Sequence, residues 1–399
     1  MLSRAYITVA TRSHWAWVKV LAESLRRAEP DVPLHVCVAD ATPDSLPQED
    51  GLSCCCPADL QIPDMARFCF QYSPFELCCA LKPFVIRHVL QSYKRVIYLD
   101  SDIWVERPLK EAWDELTVGN ILLSPHRLAP LARNWTVTLN EKALLIAGPF
   151  NAGFIGIRNS EVGCNFLNWW AEKVEHDCIV DTLAHSFVDQ NWLAMVPCFF
   201  DGSVVLRHPG YNVAVWNVGG RMLVRDPLGT LYIDDVPLVF FHFTGFDPKT
   251  PERLSVHEKY QFENNVTLDN LQRMYADRLR LAGWDGGGKG YGWGVLTDYT
   301  PVRLVWRELI RTRHEAFMKA DNPFDSRWKS LFIDTEHNFE SGRVDMRWRH
   351  LRELVGKLTL HNNRLEAEAG KWKAAYARLA SAFPVHQLLT MRNMWRKIR

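Results

Sequence analysis

The stretch RVIYLDSDIWV, residues 95–105, decides how this chain is read. Val96, Ile97, Tyr98 and Leu99 run straight into Asp100-Ser101-Asp102, and Ile103, Trp104 and Val105 resume the apolar run. Four consecutive apolar residues read as a buried strand. A strand that ends in Asp-x-Asp sends both carboxylates the same way, because side chains alternate with period two. In open α/β sheets ligands bind beyond the carboxyl ends of the strands. Two carboxylates there repel and need a counter-charge, since a buried pair without one costs several kcal/mol. A divalent cation supplies it, and hard oxygen ligands suit Mg²⁺ or Mn²⁺. Taken alone, Asp-x-Asp also fits a solvated turn after a strand.

The surrounding sequence has the pattern of a sheet with helices on its faces. Residues 5–10 read as a β-run, 15–25 as a helix with Trp15, Val18, Leu21 and Leu25 on one face, and 33–38 as a second strand. This β-α-β opening predicts a parallel sheet. Residues 42–75, rich in Pro and Cys, read as loop, and 75–90 as a helix despite Pro83. Further strands are expected at 120–124, 152–157, 203–207 and 237–243, with helices at 161–174 and 189–196. The glycine-rich run GWDGGGKGYGWG, 283–294, lacks the Gly-Lys-Ser/Thr ending of a phosphate loop and reads as a turn or lid.

Composition bounds the rest. The chain has 399 residues, 47% apolar and 23% charged, as expected for about two or three folded domains. Its sixteen Trp favour wide aromatic surfaces, either sugar platforms or core fillers. No apolar window of about 18 residues predicts a membrane-spanning helix, and the N-terminus has no secretory pattern. Six of the ten Cys fall at positions 54, 55, 56, 69, 78 and 79 without zinc-ligand spacing, so they read as reduced thiols. From Arg343 to Arg399 thirteen Lys/Arg face four Asp/Glu, whereas the remainder carries 34 against 42. A basic tail on a mildly acidic body points to lipid headgroups rather than nucleic acid.

That tail also carries a heptad. Val344, Leu351, Leu358, Leu365, Trp372 and Leu379 are seven apart, and Trp348, Val355, Asn362, Ala369 and Tyr376 form a second seam. Leu at most d positions with a single Asn at an a position predicts a two-stranded parallel coiled coil, hence a homodimer. The end, MRNMWRKIR, is amphipathic and basic. The expected organisation is a catalytic domain over 1–255, a helical extension over 256–342, a coiled coil over 343–381 and a membrane-contacting tail over 382–399.

Other motifs join the Asp pair. In VFFHFTGFDPK, 239–249, a strand carries His242, a good Mn²⁺ ligand, into Gly245 and Lys249. In GPFNAGFIGIRN, 148–159, Asn151 precedes a strand that contains Gly153 and offers donor and acceptor to a hydroxyl. In FVDQNWL, 187–193, Asp189 and Gln190 open an apolar segment, where Asp189 also fits a helix N-cap.

The order YLDSD, FNAG, DQ and HFxG resembles the GT-A glycosyltransferases, especially glycosyltransferase family 8 and its bacterial polysaccharide relatives, over roughly residues 4–255. The resemblance implies a GT-A fold, a Rossmann-like mixed sheet flanked by helices. It implies transfer of a sugar from a nucleoside diphosphate donor to a glycan hydroxyl, with retention at the anomeric carbon favoured. Asp100, Asp102 and His242 would hold Mn²⁺ or Mg²⁺, with Asp100 and Ser101 beside the donor. Ala10 and Thr11 would flank the nucleotide, Gly245 and Lys249 the diphosphate, and Lys82 in ALKPF the sugar or phosphate. Asn151 and Gly153 would contact the donor sugar, and Asp189 and Gln190 would sit beside its anomeric carbon. Asp189 becomes the general base if the reaction inverts.

Departures are local. TRSHW, 11–15, replaces the acidic or amide residues that read uracil in the family, and Lys249 follows Asp247-Pro248 in a shifted register. His126, Tyr211 and Trp216 are the candidate acceptor residues. The tail makes a lipid-linked acceptor on the cytoplasmic face of the plasma membrane the expectation, in bacterial surface-polysaccharide assembly. A metal-dependent nucleotidyltransferase and a non-catalytic scaffold are the alternatives.

Overall fold

The computed structural model describes residues 1–130, 141–181, 186–256, 265–286 and 290–337. The heptad and the basic tail lie outside the described residues. The chain divides into two units, Met1–Trp328 and Lys329–Arg399, and the sheets and the candidate site belong to the first.

In chain order its elements begin β1 (Leu2–Ala10), α1 (Trp15–Ala28), β2 (Leu34–Val38), β3 (Leu52–Cys55), α2 (Met65–Gln71), α3 (Pro74–Leu90), β4 (Tyr93–Leu99) and β5 (Ile103–Val105). They continue with α4 (Lys110–Glu115), β6 (Ile121–Pro125), α5 (Glu141–Ala147), β7 (Phe150–Arg158), α6 (Glu161–Val174), β8 (Val180–Asp181) and β9 (Ser186–Phe187). Then come α7 (Val196–Phe199), β10 (Ser203–Val205), β11 (Val213–Ala214), β12 (Leu223–Arg225), β13 (Leu231–Ile233), β14 (Val236–Pro237), β15 (Phe240–His242), α8 (Val266–Leu281) and α9 (Leu304–Arg311).

The main sheet has the order β10-β6-β7-β4-β1-β2-β3. Strand β7 runs antiparallel to both its neighbours, β4 and β6, while the other pairs are parallel. This is the expected α/β architecture, a mixed sheet flanked by helices. A second small sheet, β11-β15-β5, stands beside the carboxyl end of β4, and β12, β13 and β14 form a meander.

Apolar patterning explains the layering. Val18, Leu21 and Leu25 of α1 pack with Tyr6, Val36 and Ile97 of the main sheet. Its Ala16, Trp17 and Val20 face the other way, onto Phe241 and Phe243 and onto Leu271, Tyr275 and Leu279 of α8. Helix α1 is therefore buried on two sides, which its alternating apolar faces allow. Helix α3 starts at a capping box, in which Ser73 and Glu76 each accept from the other's backbone N–H.

Three local readings change. Residues 42–75 contain β3 and α2 rather than loop alone. β3 is a half-buried edge strand without clean alternation, and α2 is short and starts from Asp64, whose side chain accepts from Arg67 N. Residues 189–196 are not a continuous helix: Asn191–Met195 is a 3₁₀ turn leading into α7. The run 237–243 is split between β14 and β15, which lie in different sheets.

Gly292 and Trp293, at the end of the glycine-rich run, pack as a wall. Gly292 N–H donates to Asp40 Oδ2 at 3.2 Å and Trp293 Nε1 donates to the Ala39 carbonyl at 2.8 Å. A Cβ at Gly292 would lie 2.2 Å from the Asp40 carbonyl oxygen, so only glycine fits. Arg307 of α9 donates to the carbonyls of Phe70, Tyr72 and Trp293 and ties this wall to the C-terminal end of α2. No helix among the described residues is long and apolar enough to cross a membrane.

Candidate active site

The Asp pair sits where β4 stops. Asp100 N–H still donates to the Gly153 carbonyl across the sheet at 2.9 Å, and the chain then turns through Ser101 into β5. The antiparallel pairing of β15 with β5 sets His242 opposite Ile103, and Phe243 N–H donates to the Asp102 carbonyl at 2.9 Å. Two strands distant in sequence thus bring a histidine beside the two carboxylates. One ligand atom each from Asp100, Asp102 and His242 lies within 4.8 Å of the others.

His242 Nε2 is 3.0 Å from Asp102 Oδ1 and 3.8 Å from Asp100 Oδ2. The imidazole is buried, whereas the carboxylate side chains keep 29% and 26% exposure, so the group opens to solvent on its acidic side. Burial alone would lower the His242 pKa, but Asp102 and then Asp100 outweigh it and raise it above the ordinary histidine value. Burial opposes ionisation of Asp102, and His242 overcomes that and lowers its pKa. Two hard carboxylate oxygens plus an imidazole nitrogen fit Mn²⁺ or Mg²⁺. Gly153 lies directly beneath: a Cβ there would come within 2.5 Å of His242 Cε1 and 2.6 Å of Asp100 Oδ2.

Lys82 enters from α3 and is buried. Its Nζ lies 3.3 Å from Asp100 Oδ1 and 3.2 Å from Asp189 Oδ2, and donates to the Ala152 carbonyl at 3.1 Å. Burial would lower the Lys82 pKa, but Asp100 and Asp189 more than compensate and hold it well above the usual lysine value. Asp189 is 1% exposed, and burial raises its pKa despite Lys82. Asp189 caps no helix: the 3₁₀ turn that follows has Gln190 at its N-cap and no side-chain capping bond. Tyr98 OH donates to Asp100 Oδ1 at 2.7 Å.

Asn151, Gln190 and Gly153 form the adjoining wall. Asn151 Nδ2 donates to Gln190 Oε1 at 3.2 Å, and Gly153 N–H donates to Asn151 Oδ1 at 3.1 Å. Gln190 Oε1 also accepts from Ala152 N–H, and its Nε2 donates to the Ala147 carbonyl.

The remaining residues separate. Ala10 and Thr11 are buried at the carboxyl end of β1. Gly245 takes φ +66°, and Lys249 is exposed alongside Gly286 rather than paired with the carboxylates. His126 and Trp216 are buried against each other, ring centroids 5.1 Å apart, and burial lowers the His126 pKa to about 4. Trp216 also stands edge-on to His242 at 5.1 Å. Tyr211 is 4% exposed, packs on Phe154 and Phe240, and donates to Glu111. It is a core residue and presents no ring face to a sugar.

Sequence reasoning missed Asn212. Its side chain is buried at φ +50° and touches His242, Asn151 and Ser124. The signal available was an Asn before a short β-run, since Asn tolerates the left-handed region.

No family model matches the chain. It is 24% identical over 287 residues to the uncharacterized protein YfnD of Bacillus subtilis, spanning 70% of this chain and 89% of that protein. It is 24% identical over 275 residues to YfnF of the same organism, spanning 67% and 88%. Among solved structures it is similar to a galactosyltransferase, LgtC, in complex with donor and acceptor sugar analogs, at 16% identity, 68% and 95% coverage and a TM-score of 0.38. It is also similar to the glycosyltransferase GlyE of Streptococcus pneumoniae, at 17% identity, 74% and 67% coverage and a TM-score of 0.38. A third is a glycosyltransferase involved in glycosylation of the major capsid of PBCV-1, at 10% identity, 60% and 93% coverage and a TM-score of 0.33.

Proposed function

We propose that this protein is a metal-dependent glycosyltransferase that moves a sugar from a nucleoside diphosphate donor to a glycan hydroxyl. The observation that carries the reading is the convergence of Asp100, Asp102 and His242 at the end of β4, with Lys82, Asp189 and Asn151 in the adjoining wall. Asp100, Asp102 and His242 would hold Mn²⁺ or Mg²⁺, and the ion, when bound, supplies positive charge to a departing diphosphate.

The chain's own residues do the rest. Asp100 and Asp102 face solvent, so the diphosphate approaches from that side. Lys82 fixes Asp100 from behind and keeps its orientation under the like charge of Asp102. Asn151 has one N–H left after its contact with Gln190 and offers it to a donor-sugar hydroxyl. Ala10 and Thr11 border the nucleotide, while Gly245 and Lys249 flank the diphosphate once the donor is in place.

Retention is the favoured outcome. A general base must reach the acceptor hydroxyl, and Asp189 is buried and paired with Lys82. Asp189 and Gln190 then act by shaping the wall beside the anomeric carbon. His126 and Trp216 border the acceptor side through their contacts with each other. The acceptor we favour is a lipid-linked glycan of bacterial surface polysaccharide. A homodimer through residues 343–381 and peripheral membrane contact through 382–399, on the cytoplasmic face, follow from the heptad and the basic end alone.

The test is release of nucleoside diphosphate from a panel of UDP-, GDP- and dTDP-sugars with Mn²⁺. Slow turnover of one donor, lost with EDTA and in Asp102→Ala, is the expected result. Absence of both turnover and metal-dependent donor binding by calorimetry, with and without glycan acceptors, would overturn the assignment in favour of a non-catalytic scaffold.

A further inference from the structure

Amide side chains ordinarily leave two orientations open, because oxygen and nitrogen exchange places on a flip. Here the backbone closes that choice. Gln190 Nε2 lies 2.7 Å from the Ala147 carbonyl and its Oε1 accepts from Ala152 N–H at 3.1 Å. A flip would set oxygen against oxygen and N–H against N–H. Gln190 Oε1 therefore faces Asn151, whose Nδ2 donates to it, while Gly153 N–H independently pins Asn151 Oδ1. Asn151 Oδ1 in turn requires a donor from Asn212, whose Nδ2 lies 3.2 Å away and also reaches Ser124 Oγ at 3.3 Å. One group of Asn212 remains, its Oδ1, and it stands 3.1 Å from His242 Nδ1. That nitrogen must carry the proton.

We infer that Asn212 is a positioning residue that fixes the His242 tautomer and aims Nε2 at the Asp100–Asp102 pair. The assignment rests on the metal-dependent reading of the site. Trp216, edge-on to the ring at 5.1 Å, holds the imidazole plane, and Asn212 sets which nitrogen points outward. The left-handed backbone at Asn212, φ +50°, points the amide inward and excludes most other residues. The same amide holds Asn151, so the cation ligand and the candidate donor-sugar contact share one support.

The experiment uses the full-length protein and Mn²⁺ alone, with free ion followed by electron paramagnetic resonance. Wild type is expected to bind, and Asp102→Ala to lose binding. Asn212→Gly keeps the backbone conformation and removes the amide, and its affinity should fall about 10–100-fold, the usual effect of deleting a partner of a ligating histidine. Asn212→Asp loses the donor to Asn151 Oδ1 but keeps an acceptor for Nδ1–H, so its affinity should lie between those of wild type and Asn212→Gly. A merely structural role would not separate these two variants. Independently of any variant, ¹⁵N spectra of histidine-labelled wild type with Mg²⁺ should show the His242 proton on Nδ1. A proton on Nε2, equal affinity of Asn212→Gly and wild type, or no advantage of Asn212→Asp over Asn212→Gly would each overturn the assignment. Failure of wild type itself to take up Mn²⁺ would overturn the metal-dependent reading and the Asn212 assignment with it.

Discussion

Lys82 and Asp189 form an ion pair at 3.2 Å with side chains only 4% and 1% exposed. A buried pair of this kind contributes little net stability while intact, yet breaking it leaves an uncompensated charge. Lys82→Met should destabilise the fold by about 3–5 kcal/mol at neutral pH, measured by urea unfolding. Adding Asp189→Leu to it should recover a large part of that loss. Equal stability of the single and double variants would show that Asp189 is already neutral beside Lys82.

Gly153 is the floor of the carboxylate–histidine group. Gly153→Ala inserts a methyl within 2.6 Å of Asp100 Oδ2 and 2.5 Å of His242 Cε1. The overpacking should cost about 1–3 kcal/mol, and Mn²⁺ affinity should fall by more than tenfold. Calorimetry with the ion alone checks this, and unchanged affinity would remove Gly153 from the site.

The raised pKa of His242 gives ion binding a pH signature. A cation at Nε2 has to displace its proton, so affinity is pH-independent above the raised pKa and falls about tenfold per unit below it. The sign for stability is opposite. A histidine whose folded pKa exceeds its ordinary 6.5 stabilises the ion-free protein fully below 6.5, and the contribution disappears as pH rises through the folded value. Mn²⁺ titrations from pH 5.5 to 8.5 on wild type and His242→Asn should show the slope in the first and not in the second.

Tyr211 offers a contrast away from the chemistry. Its hydroxyl donates to Glu111 Oε2 at 3.0 Å and accepts from Ala112 N–H. Tyr211→Phe leaves both unpaired and should cost about 1–3 kcal/mol, with KM for the glycan acceptor unchanged. A raised acceptor KM would return Tyr211 to the acceptor side.

Much of the molecule was legible because its signals are local. Apolar runs across 95–99 and 152–157, and helical patterns over 15–25 and 161–174, correspond to β4, β7, α1 and α6. Asp100, Asp102 and His242 were readable because each follows or ends an apolar run, and topology brings such ends together. Strand β3 and helix α2 were hidden because neither has the length or alternation that marks an element. Tyr211, read as a sugar platform, lies in the core for a different reason: residue type shows what a side chain can do, but not which way it faces. Asn212 escaped because its importance lies in the direction of a hydrogen bond, which depends on the Ala147 carbonyl and the Ala152 and Gly153 N–H groups.

The Gly292 contact with Asp40 limits how this protein is divisible. Asp40 Oδ1 is taken by Arg12 N–H, and Oδ2 by Gly292. A fragment cut at residue 255 would strip the ends of β1 and β2 of the partners supplied by Gly292 and Trp293. The sheet and residues 290–307 are thus a single heritable module. Exchanging the C-terminal part between relatives would rewrite what borders the ends of β1 and β2, so changes at Arg12 or Asp40 and changes at 290–307 are expected to travel together.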